Sequence, residues 1–271
     1  MKKIYWSFIA ILLFTACHNN TQQEEPTTPI STIPNIAYTI TNVYPHNIES
    51  FTEGLEFHNG FLYESTGDPD YKGNSFLMKT DIKNGKDLQK VNLNKQYFGE
   101  GLTLLNGKIY QLTYKENKCF VYDANTFQLL NTFIYEGEGW GMTNDGKEII
   151  MDNGSNNLIY RNPKTFAITK TVPVVGVPTS NGAVFINELE YVNGFIYANT
   201  WTQDFDKIVK IDAATGKVVG VLDFTGVLDK YATTNETANR DVLNGIAYDS
   251  TKQLFYFTGK NWPKMFEVKL N

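Results

Sequence analysis

The sequence predicts an all-β chain, a five-bladed β-propeller with four-stranded blades and a ring closed by strands from its N- and C-terminal ends. Three observations carry that expectation. A strand–turn–strand phrase recurs five times, a second alternating hairpin follows each of the first four, and a spare strand stands at the front while the last repeat stops short. The 16 Tyr and 18 Phe agree, because aromatic side chains suit pleated, half-buried surfaces.

The first residues read as separate from the fold. Lys2 and Lys3 precede an apolar run from Ile4 to Phe14, too short for a stable membrane span, and the small residues Thr15 and Ala16 stand before Cys17. That order predicts a signal peptide over 1–17 ending in a lipoprotein lipobox, with cleavage before Cys17 and lipidation of that cysteine. The protein is then expected in the bacterial cell envelope, and His rather than Asp at position 18 favours the outer membrane. Residues 18–35, "HNNTQQEEPTTPISTIPN", are polar and rich in Pro and Thr, and predict a flexible tether. The propeller domain is expected over 36–271, and "IAYTITNVY", residues 36–44, is its spare strand.

The five repeats are "EGLEFHNGFLYESTG" from Glu53, "EGLTLLNGKIYQLTY" from Glu100, "WGMTNDGKEIIMDNG" from Trp140, "NELEYVNGFIYANTW" from Asn187 and "NGIAYDSTKQLFYFTGK" from Asn244. Their starts are 47, 40, 47 and 57 residues apart, the span of a four-stranded blade. Asn59-Gly60, Asn106-Gly107, Asp145-Gly146 and Asn193-Gly194 supply the positive φ of tight hairpins, and "DSTKQ" makes a longer turn. "FLMKTDIKNGKDLQKVNL", "CFVYDANTFQLLNTFIY", "LIYRNPKTFAITKTVPV" and "IVKIDAATGKVVGVLDF" are the outer hairpins. Residues 223–240 form a polar insertion, read as a loop with one or two helical turns. The chain ends on "MFEVKL", which residues 36–43 are expected to join, completing the last blade. A β-sandwich with coincidental hairpins is the alternative, and five phased repeats count against it.

In a propeller the inner strands start beside the axis, so Glu53, Glu100, Trp140, Asn187 and Asn244 are expected to ring one mouth of the channel. Gly54, Gly101, Gly141 and Gly245 beside them allow backbones to approach closely. The glycines on either side of Glu100 are also expected to leave room for substrate. The ends of the second strands, Gly67, Tyr114, Gly154, Trp201 and Lys260, wall the same region. Two carboxylates, two carboxamides, a lysine and three aromatics suit general acid/base chemistry on a small neutral or cationic group. Like charge and burial would raise the pKa of Glu53, Glu100 or both.

Other classes fit less well. A net charge of −5 and the lack of any Lys/Arg run argue against nucleic acid. Cys119 is left alone once Cys17 is lipidated, so no disulfide is expected. Two Cys and three His leave little for a zinc site: His18 falls in the tether, and His46 and His58 read as turn residues. No metal or other cofactor is expected, and a monomer is. Two rivals remain from the residues alone: a non-catalytic binding lipoprotein of the envelope, and a hydrolase holding calcium among Glu53, Glu100, Asn187 and Asn244.

"FTEGL", "YESTG", "FGEGLT", "YQLTY", "GEGWGMT", "NELEY", "DVLNGIAYD" and "FTGKNWPK", in this order, resemble the metal-independent glutaminyl-peptide cyclotransferase family of plants and bacteria over about residues 44–270. The resemblance implies a five-bladed propeller that turns N-terminal Gln of peptides or proteins into pyroglutamate with release of ammonia. Carried across, it makes Glu100 the essential acid and Asn187 and Lys260 further catalytic groups. Phe98, Trp140 and Trp201 become substrate-binding, and Phe51, Glu53, Tyr114 and Asn244 are counted with them. Two positions depart from the pattern: Glu53 stands where Gln is common, and Tyr114 where Trp is common. Neither departure removes a group that transfers protons.

Overall fold

The computed structural model of the protein describes residues 33–178, 185–201 and 206–271. The expected signal peptide, Cys17 and the tether as far as residue 32 lie outside the described residues.

Five four-stranded antiparallel sheets form the blades of a five-bladed β-propeller. The first is β2 (Phe51–His58), β3 (Phe61–Gly67), β4 (Phe76–Asp81) and β5 (Lys86–Asn92). The second is β6 (Gly99–Leu105), β7 (Lys108–Thr113), β8 (Lys118–Asp123) and β9 (Leu129–Ile134). The third is β10 (Met142–Asn144), β11 (Ile149–Met151), β12 (Asn157–Arg161) and β13 (Ile168–Pro173). The fourth is β14 (Phe185–Val192), β15 (Phe195–Trp201), β16 (Lys207–Asp212) and β17 (Val218–Asp223). The fifth is β18 (Leu243–Asp249), β19 (Leu254–Gly259), β20 (Lys264–Leu270) and, on its outside, β1 (Tyr38–Pro45). The insertion after β17 contains one short 3₁₀ turn, Leu228–Lys230, in line with the sequence.

Closure follows the expected pairing, with Tyr38 opposite Leu270 and Pro45 opposite Lys264. It covers the edge that an open ring would expose. Pro34 and Asn35, assigned to the tether from sequence, instead meet the fourth blade. The Pro34 carbonyl accepts the Val221 N–H at 3.0 Å, and Ile36 N–H donates to the Val221 carbonyl at 2.7 Å.

The core lies between blades. Leu77 of the first blade packs with Leu102 and Ile109 of the second, all three fully buried. Leu222 and Phe224 at the end of the fourth blade pack with Phe257 and Phe266 of the fifth. Each such side chain contributes about 1.5–3 kcal/mol, so the blades hold one another in place.

Local chemistry sets the phase of each hairpin. Asn59, Asn106 and Asn193 take φ of 50°, 53° and 50°, as the Asn-Gly turns demand. The Asp145 turn differs: only Gly146 has positive φ, and the Asp145 carboxylate accepts the N–H groups of Lys147 at 2.9 Å and Glu148 at 2.7 Å, which widens the loop. His46 also differs from its reading as a turn residue. It is buried behind β1, 3.2 Å from Glu64 and bonded to the Trp262 carbonyl at 2.7 Å.

Four inner strands carry a β-bulge at the same place, between Thr52 and Gly54, Gly99 and Leu102, Ile186 and Leu189, and Leu243 and Ile246. A bulge adds a residue and re-aims its side chain. The residues that it frees are Glu53, Glu100, Asn187 and Asn244, the last three with their C-terminal neighbours. Behind them four blades carry glycine, and the fourth carries Glu188. Its carboxylate accepts the N–H of Leu55 at 3.1 Å and of Ile246 at 2.7 Å, tying the fourth blade to the first and fifth behind the ring.

Candidate active site

At the end where the inner strands begin lies a cavity of about 450 Å³. Glu53, Glu100, Trp140 and Asn187 line it, as the register predicts, and so do Tyr114, Gly154, Trp201 and Lys260 from the second strands. Asn244 does not line it. Asn244 is fully buried behind Glu53, where its Nδ2 donates to Glu53 Oε2 at 3.1 Å and to the Thr52 carbonyl at 2.9 Å. Its expected place among the substrate-binding residues is therefore corrected to a support. The bulge turns its side chain toward the first blade rather than into the opening.

The glycines beside Glu100 also serve a different purpose from the one expected. A Cβ on Gly99 would lie 2.5 Å from the Thr66 carbonyl oxygen, and one on Gly101 would lie 2.5 Å from both Met142 N and the Trp140 carbonyl oxygen. They leave no room for substrate. They let the backbones of adjacent blades pass close enough for Gly101 N–H to reach the Trp140 carbonyl at 2.9 Å. Glycine serves again beneath the aromatics: Phe98 lies on Gly67, and Trp140 on Gly154.

The charged groups sit at the floor. Lys260 Nζ is 2.7 Å from Glu53 Oε1 and 4.8 Å from the centre of the Phe51 ring. Burial raises the Glu53 carboxyl above the usual carboxylate range, and Lys260 and Asn244 hold it back. Glu100 is only 5% exposed, and among the described residues its carboxyl group has no hydrogen-bond partner. Burial lifts it well above the usual range; the like charge of Glu53 adds to this, Lys260 opposes it, and Asp152 and Glu116 add further. An acid that is buried, unpartnered and open to a cavity is poised to hold or release a proton. Among the described residues Asn187 Oδ1 is buried without a hydrogen-bond partner.

Aromatic rings make the walls. Trp140 and Trp201 meet edge to face at 5.9 Å, and Phe185 touches both at 6.2 and 6.4 Å. Across the opening Phe98 contacts Phe51 at 6.1 Å and Tyr114 at 5.8 Å. Trp140 is steered by Glu138, whose carboxylate accepts the indole N–H at 3.0 Å and pairs with Lys115 at 3.6 Å.

Phe185 and Glu138 were not anticipated, although they stand at a fixed offset just before the repeat. Phe51, Phe98, Glu138 and Phe185 each stand two residues before a ring residue, and all four line the cavity. Asp152 was missed as well. It is fully buried, accepts the N–H groups of Gly154 at 3.0 Å and Gly141 at 3.2 Å, and burial raises its pKa well above the usual range. No repeat position announces it. Among the described residues no three His, Cys, Asp or Glu side chains converge as metal ligands would.

Comparison with known proteins gives three results. The family model described as glutamine cyclotransferase matches residues 9–270. A glutaminyl-peptide cyclotransferase of Arabidopsis thaliana is 35% identical over 231 residues, covering 84% of this chain and 69% of that protein. The crystal structure of Myxococcus xanthus glutaminyl cyclase superposes with a TM-score of 0.77 at 34% identity, covering 89% of this chain and 99% of that one.

Proposed function

The chain belongs to the glutamine cyclotransferase family, and on that premise we propose that its cavity closes an N-terminal glutamine of a peptide or protein into pyroglutamate, releasing ammonia. The observation that carries the mechanism is Glu100, a buried acid with an unpartnered carboxyl group that shares its cavity with Lys260 and a wall of aromatic rings.

The α-amine of the substrate attacks its own γ-carboxamide carbon. A carbon–nitrogen bond forms to close a five-membered ring, and the bond to the departing nitrogen breaks. Both reacting groups belong to one residue, so holding one rotamer supplies much of the acceleration. Glu100 takes a proton from the attacking amine and delivers it to the leaving nitrogen, which departs as ammonia. Lys260 and Asn187 donate hydrogen bonds to the oxygen that gains negative charge; one donor of this kind is worth about 3–4 kcal/mol. Trp140, Trp201, Phe185, Phe98 and Tyr114 grip the side chain and exclude water. The cavity opens outward, which leaves space for the rest of a peptide.

Ammonia release from a glutaminyl dipeptide, measured with and without a chelator, tests this. Release that resists the chelator supports the reading. Loss of release with chelator contradicts metal-independent catalysis, and the lack of release from every such peptide favours a binding protein.

The reading extends to location. The run from Lys2 to Cys17 supports lipidation at Cys17 and anchoring to a bacterial envelope membrane, with residues 18–32 as tether. Cys17→Ala is expected to move the protein from the membrane to the soluble fraction and to abolish palmitate labelling. A monomer is expected, and light scattering checks it.

A further inference from the structure

The ion pair on the cavity floor is costly to bury. Glu53 is 2% exposed and Lys260 6%, and removing such charges from water offsets most of what their attraction returns. The pair is nonetheless fully built. Glu53 Oε1 lies 2.7 Å from Lys260 Nζ, and Oε2 accepts Asn244 Nδ2, which is itself fixed to the Thr52 carbonyl. The Lys260 backbone is held too, its N–H donating to the Val242 carbonyl at 3.0 Å and its carbonyl accepting the Asp241 N–H at 2.9 Å. Among the described residues Lys260 has no other ion-pair partner.

We propose that Glu53 is a positioning residue: braced by Asn244, it aims the remaining N–H groups of Lys260 at the γ-carboxamide oxygen and cancels the charge of that lysine at Glu100. The inference rests on the cyclotransferase reading above. The charge Glu53 carries matters as much as its hydrogen bonds. The charged groups facing Glu100 are Glu53 from β2, Lys260 just beyond β19, Asp152 just beyond β11, and Glu116 between β7 and β8; those facing Glu53 are Lys260, Glu100 and Asp241. Take away the charge of Glu53, and Lys260 acts on Glu100 unopposed. Glu100 then loses its proton at lower pH, and a reaction that needs it ionised keeps its rate further into acid.

The test is ammonia release from a glutaminyl dipeptide across pH by the wild type and the variants Glu53→Gln, Glu53→Ala, Lys260→Ala and Glu53→Ala/Lys260→Ala. Glu53→Ala is expected to lower kcat about 10–100-fold, the effect of misplacing a group by up to about 1 Å, with KM little changed. Glu53→Gln keeps one acceptor oxygen for Lys260 without the charge, so its loss is smaller and its acidic limb moves to lower pH. In the Lys260→Ala background Glu53→Ala costs little more, because the two act as one unit. A raised KM with unchanged kcat in Glu53→Ala would place Glu53 on the substrate and overturn the inference; so would additive losses in the double variant, or an unmoved acidic limb in Glu53→Gln. Should Glu53→Ala fail to fold, Asn244→Ser reads the same brace, with a smaller fall in kcat expected and an unchanged kcat contrary. A wild type that releases no ammonia overturns the cyclotransferase reading itself, and this inference with it.

Discussion

Replacing Gly101 by alanine separates two uses of the glycines around Glu100. Gly101 does not need positive φ, so alanine meets no conformational penalty there, only a lack of space. Its Cβ would stand 2.5 Å from Met142 N, 2.5 Å from the Trp140 carbonyl oxygen and 2.7 Å from Gly141 C, all of them backbone. That is roughly 1 Å inside normal contact, and backbone cannot rotate aside as a side chain can. The second and third blades must part at the site. Overpacking of this kind costs about 1–3 kcal/mol, or roughly 2–12 °C in Tm for a domain of this size. The same movement displaces Glu100 from Trp140, and a shift near 1 Å costs about 10²-fold in kcat. Thermal unfolding and dipeptide kinetics read both. Gly60→Ala is the control: Gly60 has φ of 86° with nothing within 4 Å of a Cβ, so the variant loses about 1–2 kcal/mol to backbone strain and keeps its kcat. A Gly101→Ala protein of normal Tm with only KM raised would show that the glycine makes room for substrate, and would refute the packing account.

Removing residues 36–45, which contain β1, is expected to collapse the Tm of the whole domain because it uncovers β20, whereas removing 19–32 leaves Tm unchanged. Trp140→Ala and Trp201→Ala are expected to lower kcat/KM chiefly through KM, since stacking and water exclusion are lost while Glu100 stays; a fall in kcat alone contradicts a binding role. The His46–Glu64 pair makes stability depend on pH. Burial depresses His46, yet the Glu64 carboxylate raises it overall; burial raises Glu64, yet His46, Thr52 and Ser50 lower it overall. The His46 contribution is full below its unfolded pKa of 6.5 and is lost as pH rises through the raised folded value. The Glu64 contribution is full above 4.5 and is lost as pH falls through the depressed folded value. Tm should therefore peak in mild acid and decline toward alkaline pH, and Glu64→Gln should cost about 3–5 kcal/mol; an alkaline decline that persists in His46→Gln would assign it to another group.

What the sequence discloses here depends on how side-chain direction is set. Asn-Gly turns fix the phase of a hairpin, so the five inner strands and the membership of Glu53, Glu100, Trp140 and Asn187 in one ring can be read directly. Phe185 and Glu138 were equally readable from the same register and needed only the comparison with Phe51 and Phe98. Asn244 was misplaced for a physical reason: it sits at a bulge, where alternation no longer tells which way a side chain points. Glu188 is a buried acid bonded to the backbone N–H groups of Leu55 and Ile246 in two other blades. Those partners are brought near only by closure of the ring, and no local pattern encodes them. The same holds for Glu53 with Lys260, which are distant in sequence and 2.7 Å apart in the structure.

The most direct test of the account is the rate of ammonia release from a glutaminyl dipeptide by the wild type and by Glu100→Gln, with Tm measured on the same samples. Glutamine keeps the size of the acid but cannot carry the proton. The account predicts release by the wild type and a fall in kcat of about 10²–10⁴-fold in the variant, the worth of a positioned general acid/base, at unchanged Tm. A Glu100→Gln protein that turns over as fast as the wild type would contradict it.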